Sequence, residues 1–360
     1  MIKQFVWKLM GEQGQQVYKK LQLNCSLRYK CLNNRVSDKA LVLLLDTPTH
    51  GNLGDHAIVL AERQFVLSKC QEIEIVEFTY DECKYCLDDI EKKSFAEKDI
   101  ILLPGGGFIG SLWPNEQENI IKILNKFKEY KIVIFPQTLY FSSDDEGKQL
   151  KEEFLNKLKD CKDITLFVRD AASYEWLKRN VKSDWENVKY SLVPDIVTSL
   201  SYKENVIRKK QVLLCFRKDL EKVSDLNFME VRRVIDRMGY SIEETDTVLQ
   251  NDIDINDREL VVQRKLDEFA HSSLVITDRL HGMIFSAITG TPCIALDNLS
   301  KKVSGGYQWF KELPYIKLVE NRPVMIEDIQ EMLSVQDTNY DIHNYDEYYE
   351  LIGKVIRGEM

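Results

Sequence analysis

Arg279 and His281 stand at the head of an apolar run, Leu280, Met283, Ile284, Ala287 and Ile288, which Gly290 and Pro292 close. That spacing predicts a helix with both side chains at its N-terminal edge. An arginine there adds a guanidinium fork to the positive end of the helix dipole, and together they favour an anion. A bare imidazolium is disfavoured at the same end, so a histidine in that turn makes sense beside a bound negative charge. The alternative is a surface histidine satisfied by its neighbours. His56 holds the matching place in an earlier segment, and two helix termini facing across a cleft could grip a ligand charged at both ends.

These residues need elements to hold them. From residue 40 onward, short apolar runs alternate with longer amphipathic ones, the pattern of a parallel sheet covered by helices on both faces. Strands are predicted at 41–46, 73–78, 100–103, 132–135, 165–168 and 190–193. A polar stretch at 201–210 interrupts the pattern, and a second series follows at 212–216, 240–244, 274–277, 293–296 and 315–319. The expected fold class is α/β, with two Rossmann-like doubly wound domains facing across a cleft, a GT-B-like layout. The expected organisation is a basic helical segment over 1–37, a Rossmann-like domain over 38–205, a second over 206–342, and a C-terminal helix within 343–360 that returns to the first domain.

In open parallel sheets, ligands bind beyond the carboxyl ends of the strands, where loops and helix N-termini converge. The distinctive residues follow that rule. Thr49 to His56, containing Gly51, Asn52, Gly54 and Asp55, comes after the first strand, and Pro104-Gly105-Gly106-Gly107-Phe108-Ile109-Gly110 after the third. Pro136-Gln137, Arg169-Asp170, Pro194-Asp195, Arg217, Asp278-Arg279-Leu280-His281-Gly282 and Asp297-Asn298 follow later strands. Each has a plainer reading. Asp55, Asp170 and Asp278 suit helix caps, Asp55 for a helix beginning at His56. Asp195 after its proline could pin a loop. Gly105, Gly107 and Gly110 satisfy G-x-G-x-x-G, but they do not open the first βαβ unit, and the next strand ends in Pro136-Gln137 with no acid for a ribose hydroxyl. A glycine turn permitting close backbone approach, or a purely structural turn, fits better than a dinucleotide site.

Composition narrows the classes. A chain of 360 residues, 44% of them hydrophobic, suits two cores. The net charge of -9 argues against general nucleic-acid binding, so any anionic ligand must meet a local cationic pocket. Eight scattered cysteines in a chain of this size suit reduced thiols and a cytoplasmic setting. Cys83 and Cys86 form a lone CxxC that reads as two surface thiols, and no metal site is expected. No stretch suits a membrane span or a secretory h-region. Residues 1–37 carry Lys3, Lys8, Lys19, Lys20, Arg28, Lys30 and Arg35 against the single acid Glu12, together with Phe5, Val6, Trp7, Leu9 and Met10. Peripheral contact with an anionic membrane face fits that pattern, and so does packing on the chain's own body or on a second copy in a homo-oligomer.

Gly-Asn-Leu-Gly-Asp-His at 51–56, Pro-Gly-Gly-Gly at 104–107, Pro-Gln at 136–137, Arg-Asp with Ala-Ala-Ser at 169–173, Pro-Asp at 194–195 and Arg-Leu-His-Gly at 279–282 resemble, in order and spacing, the polysaccharide pyruvyl transferase family. The resemblance runs from about residue 40 to 310, and Arg-Leu-His-Gly is its most specific signature. Asp297-Asn298 with Lys302 resembles a further family segment, where Lys301 competes for the lysine's place. The resemblance implies phosphoenolpyruvate as co-substrate with no other cofactor and no metal. It implies as acceptor a sugar of a bacterial surface polysaccharide or its lipid-linked precursor, modified as a ketal. On that reading Arg279 and Arg217 hold the carboxylate or phosphate, Arg169 and Lys302 assist, and Gly105, Gly106, Gly107, Gln137 and Asn298 complete the donor site. His281 is then the general acid and Asp55 or His56 the base. The rival readings are a GT-B glycosyltransferase using a nucleotide-sugar and a non-catalytic sugar-binding scaffold.

Overall fold

The computed structural model describes residues 11–27, 39–70, 73–92, 96–202, 206–217, 228–297 and 301–359. Two parallel sheets organise them. The first contains β1 (Ala40–Thr47), β2 (Ile73–Thr79), β3 (Ile100–Leu103), β4 (Gly106–Gly110), β5 (Lys131–Tyr140), β6 (Asp163–Val168) and β7 (Val188–Leu192). Its order is β2-β1-β3-β5-β6-β7, with β4 paired to the far end of β5. The second sheet holds β8 (Gln211–Cys215), β9 (Ser241–Thr245), β10 (Leu274–Thr277), β11 (Cys293–Leu296) and β12 (Ile316–Val319) in the order β12-β11-β10-β8-β9. Both are doubly wound, so the chain is two Rossmann-like domains in a GT-B-like arrangement.

The strand sequences explain the layering. Alternate residues of a strand point to opposite faces, and the first sheet buries both. Leu41, Leu43, Leu45, Ile101, Leu103, Ile132 and Ile134 face one apolar cluster, while Val42, Leu44, Ile100, Leu102, Val133 and Phe135 face the other. This second cluster continues into the other domain through Leu213, Cys215, Val275, Phe269, Phe285 and Cys293. A core shared across the domain seam resists hinging, because opening it would expose close-packed apolar surface to water. The helix Asp346–Arg357 reinforces the seam from the N-terminal side: the Tyr349 ring lies 6.0 Å from Phe65, and its hydroxyl is 2.7 Å from that of Thr198.

Several local expectations need correction. The glycine run expected as a turn forms β4, and β5 extends through Pro136 to pair with it, Gly106 opposite Gln137. The helix expected to begin at His56 begins at Leu53, and its cap is Asn52, whose side chain accepts from the Gly54 N–H, rather than Asp55. Asp170 does cap, accepting from Ser173, whereas Asp278 accepts from the Arg217 backbone N–H instead. Cys83 and Cys86 are buried, not surface thiols, and their helix Tyr80–Glu91 carries the N-terminal helix Gly11–Leu27 through Lys19–Asp81 at 3.0 Å and Lys20–Asp89 at 3.1 Å. That helix leaves Val17 and Leu21 exposed, and the rest of 1–37 lies outside the described residues. Among the described residues, no helix is long and apolar enough to cross a membrane.

Candidate active site between the domains

The loop after β1 meets the loop after β9 along a short backbone clasp. Leu53 N–H donates to Thr247 O at 2.7 Å, Leu249 N–H to Gly51 O at 2.8 Å, and Ile253 N–H to Thr49 O at 2.7 Å. Two glycines make this approach feasible. A Cβ on Gly51 would fall 2.0 Å from the Leu249 carbonyl oxygen, and one on Gly54 would fall 2.1 Å from His281 Nδ1. The glycines of the Gly-Asn-Leu-Gly segment are therefore small because the other domain presses against them.

The clasp borders a cavity of about 350 Å3 lined by both domains. Of the residues expected from sequence, the structure brings Asp55, Gly107, Arg169, Arg217, Arg279, His281 and Lys302 to its wall. Arg279 is the N-cap residue of Leu280–Ile288, and its Nη2 bridges both oxygens of Asp246, at 2.8 and 2.9 Å. Arg169 donates from Nη1 to Asp195 at 2.5 Å and from Nε to Thr138 at 3.0 Å. Its Nη2 faces Gly107, where an added Cβ would sit 3.0 Å from it and 3.3 Å from Lys302 Nζ. Lys302 Nζ also lies 3.4 Å from the Gly107 carbonyl. The rival lysine, Lys301, is instead exposed and paired with Asp297 at 3.0 Å.

Asp195 joins Arg169 to the histidine. Burial by itself would raise the Asp195 pKa, but the Arg169 guanidinium and His281, with the Val197 N–H, override it and hold the carboxyl well below the usual carboxylate range. His281 Nε2 lies 3.6 Å from Asp195 Oδ2, slightly beyond a hydrogen bond, and is buried without a hydrogen-bond partner among the described residues. Such an orphaned polar atom at a cavity wall is costly unless something arrives to satisfy it.

Other expected residues lie behind the cavity. Gln137 donates from Nε2 to Pro104 O at 2.7 Å, and the Gly105 N–H donates to Glu62 at 2.7 Å. Burial pushes the Glu62 carboxyl well above its ordinary pKa, although the Gly105 bond opposes this. Gly105, Gly106 and Gln137 thus shape the strand end that presents Gly107. His56 is withdrawn altogether, with Nε2 2.7 Å from the His50 carbonyl oxygen and Nδ1 accepting from Arg258 Nε at 3.2 Å. Asn298 falls outside the described residues.

Sequence reasoning passed over Asp246, Phe108, Trp113, Glu116 and Val248, all at the cavity or one bond from it. Asp246 follows β9 directly, so the strand-end rule applied to that polar strand would have found it. Among the described residues no cluster of His, Cys, Asp and Glu could hold a metal ion.

Two doubly wound domains with cationic side chains gathered between their strand ends define a GT-B-like transferase scaffold. The family model described as polysaccharide pyruvyl transferase matches residues 52–300, which contain the Gly107 strand, the Arg279–His281 turn and all of the clasp but Thr49 and Gly51. The chain belongs to that family. It is 33% identical over 305 residues to General stress protein 30 of Bacillus subtilis, covering 83% of this chain and 85% of that one. It is 29% identical over 277 residues to Pyruvyl transferase 1 of Schizosaccharomyces pombe, covering 71% and 66%. A solved structure of an uncharacterized protein from Klebsiella pneumoniae superposes with a TM-score of 0.54 at 18% identity, over 82% of this chain and 98% of that one, a likeness of fold alone.

Proposed function

We propose that this protein transfers the pyruvyl group of phosphoenolpyruvate to a pair of sugar hydroxyls, forming a ketal in the assembly of a bacterial surface polysaccharide, and that it works in the cytoplasm. The observation that carries the reading is the convergence of Arg169, Arg217, Arg279 and Lys302 with His281 on one cavity. Phosphoenolpyruvate bears a carboxylate and a phosphate on a three-carbon frame, so it needs several cationic donors close together. Charge-assisted hydrogen bonds contribute roughly 1.5–3 kcal/mol each, and two or three are needed to offset desolvation of such an anion.

In this reading Arg279 and Arg217, on the C-terminal side, hold one anionic group, and Arg169 Nη2 with Lys302 holds the other. His281 supplies the proton that converts the enol methylene to a methyl, leaving an oxocarbenium-like carbon. One sugar hydroxyl adds there and loses its proton, the C–O bond to phosphate breaks, and a second hydroxyl adds and loses its proton to close the ring. One proton enters carbon, one leaves with phosphate, and the two hydroxyls supply both. Asp195, 3.6 Å from the ring, stabilises its protonated form, and Asp55, whose carboxylate accepts from Asn52 at 2.7 Å, takes a hydroxyl proton. His56 has no part, because both its nitrogens are engaged away from the cavity.

The test is a donor panel. Enzyme incubated with model glycosides and either phosphoenolpyruvate or UDP- and GDP-sugars is assayed for free phosphate and free nucleotide, with mass spectrometry of the glycoside. Phosphate release with a glycoside gaining the mass of a pyruvate ketal is expected. Nucleotide release with a glycosylated product would replace the reading with glycosyl transfer.

A further inference from the structure

The two walls of the cavity differ in kind. Three of its four cationic side chains, Arg217, Arg279 and Lys302, come from the C-terminal domain, whereas both carboxylates, Asp55 and Glu116, and the aromatics Phe108 and Trp113 come from the N-terminal domain. Away from Arg169 and Gly107 the N-terminal wall presents carboxylates, which repel a phosphate, and aromatic rings, which do not attract one, so the part formed by Phe108, Trp113 and Glu116 suits an uncharged ligand.

Trp113 is the most unusual residue of that wall. It is 45% exposed and belongs to none of the apolar clusters of the described residues. It occupies the N-cap of the helix Pro114–Phe127 and makes no side-chain cap hydrogen bond. Serine, threonine, aspartate or asparagine would stabilise that position by about 1 kcal/mol, so an indole there is explained neither by capping nor by the core. One turn on, Glu116 also lines the cavity; its carboxylate lies within electrostatic reach of Asp46 and Tyr80 but takes part in no side-chain hydrogen bond or ion pair among the described residues. Val248, 40% exposed, enters from the other domain. A flat ring, an uncommitted carboxylate and an apolar opposing edge are the parts a pyranose requires, with C–H groups over the indole face and a hydroxyl donating to the carboxylate.

We infer that Trp113 and Glu116 form the acceptor subsite, with the sugar ring stacked on Trp113 and one of its hydroxyls held by Glu116. The assignment rests on the pyruvyl-transfer reading for what happens to the sugar, but the subsite itself can be tested without any donor. Intrinsic fluorescence is followed while methyl α- and β-pyranosides of glucose, galactose and mannose are titrated into wild-type and Trp113→Phe protein. At least one pyranoside is expected to change the wild-type emission saturably, with the change absent from Trp113→Phe. With the acceptor the enzyme converts, Trp113→Ala should raise the acceptor KM at least tenfold while calorimetric affinity for phosphoenolpyruvate stays within twofold, and Glu116→Gln should raise the same KM several-fold. Thermal melts confirm that these variants fold. A fluorescence change that survives in Trp113→Phe, no response to any pyranoside, or an unchanged acceptor KM in Trp113→Ala overturns the subsite. Failure of wild-type protein to bind phosphoenolpyruvate would instead strike the pyruvyl-transfer reading and leave the pyranoside titration to stand on its own.

Discussion

His56 and His281 occupy corresponding places, each in the first turns of a helix that follows a strand of its own domain, yet the fold treats them oppositely. The helix Arg258–Ala270 of the C-terminal domain crosses over His56 and fills one ring nitrogen with Arg258, whose other arm pairs with buried Glu77 at 2.6 Å. Among the described residues no hydrogen bond fills His281 Nε2, and the ring packs beside Gly54 and reaches the cavity wall. Pseudo-symmetry of two doubly wound domains therefore does not make a symmetric site. One helix terminus became part of the hinge-locking seam, and the other faces the cavity.

The largest test of that contrast is His281→Ala. General acid catalysis contributes about 10²–10⁴-fold, so turnover should fall by at least that lower bound, with melting temperature and phosphoenolpyruvate affinity little changed. A variant turning over at the wild-type rate would remove His281 from the chemistry. Gly54→Ala should come next, because a methyl group 2.1 Å from His281 Nδ1 must displace the ring. Turnover is expected to drop roughly tenfold or more through loss of alignment, with circular dichroism unchanged; wild-type kinetics would mean that the ring position is immaterial. For Arg279→Lys the effect should be in binding, since a point charge cannot replace a fork shared with Asp246. We expect about tenfold weaker phosphoenolpyruvate affinity by calorimetry, and equal affinity would place the donor elsewhere.

The strands were legible because parallel strands buried on both faces read as continuous apolar runs, and the rim residues were legible because each follows such a run. What escaped depends on cap geometry and on contacts between segments far apart in the chain. Gly54 looks like a turn glycine until His281 is seen against it, and Asp55 looks like a cap until Asn52 is seen doing that work. Asp195 and Asp246 gain significance only as the carboxylates that orient Arg169 and Arg279. The Gly106–Gly110 strand defied its composition, since glycine is a poor strand former, and it forms because β5 continues past Pro136 and offers it a partner. His56 was misplaced by analogy with His281, because the segment that seals it lies some two hundred residues away.

The smallest effect on activity, and the clearest on stability, belongs to His56. Burial drives its pKa down to about 4, with Arg258 and His50 adding to the shift, while its bond to the His50 carbonyl opposes it. The folded protein thus keeps this ring neutral over a range in which the unfolded chain, titrating near 6.5, takes up a proton. Stability from this group is fully present above pH 6.5 and is lost as pH falls toward 4, by roughly 3 kcal/mol at about 1.4 kcal/mol per pKa unit. His56→Gln cannot titrate. At pH 7.5 it should be less stable than wild type by about 1–2 kcal/mol, from one lost buried hydrogen bond, with turnover nearly unchanged. Across pH 6.5 to 4 the urea-derived stability of wild type should fall faster than that of the variant, so the two curves converge and then cross, since every other titrating group is common to both. Parallel curves would mean that His56 is protonated in the folded protein, and the contrast between the two histidines would lose its physical basis.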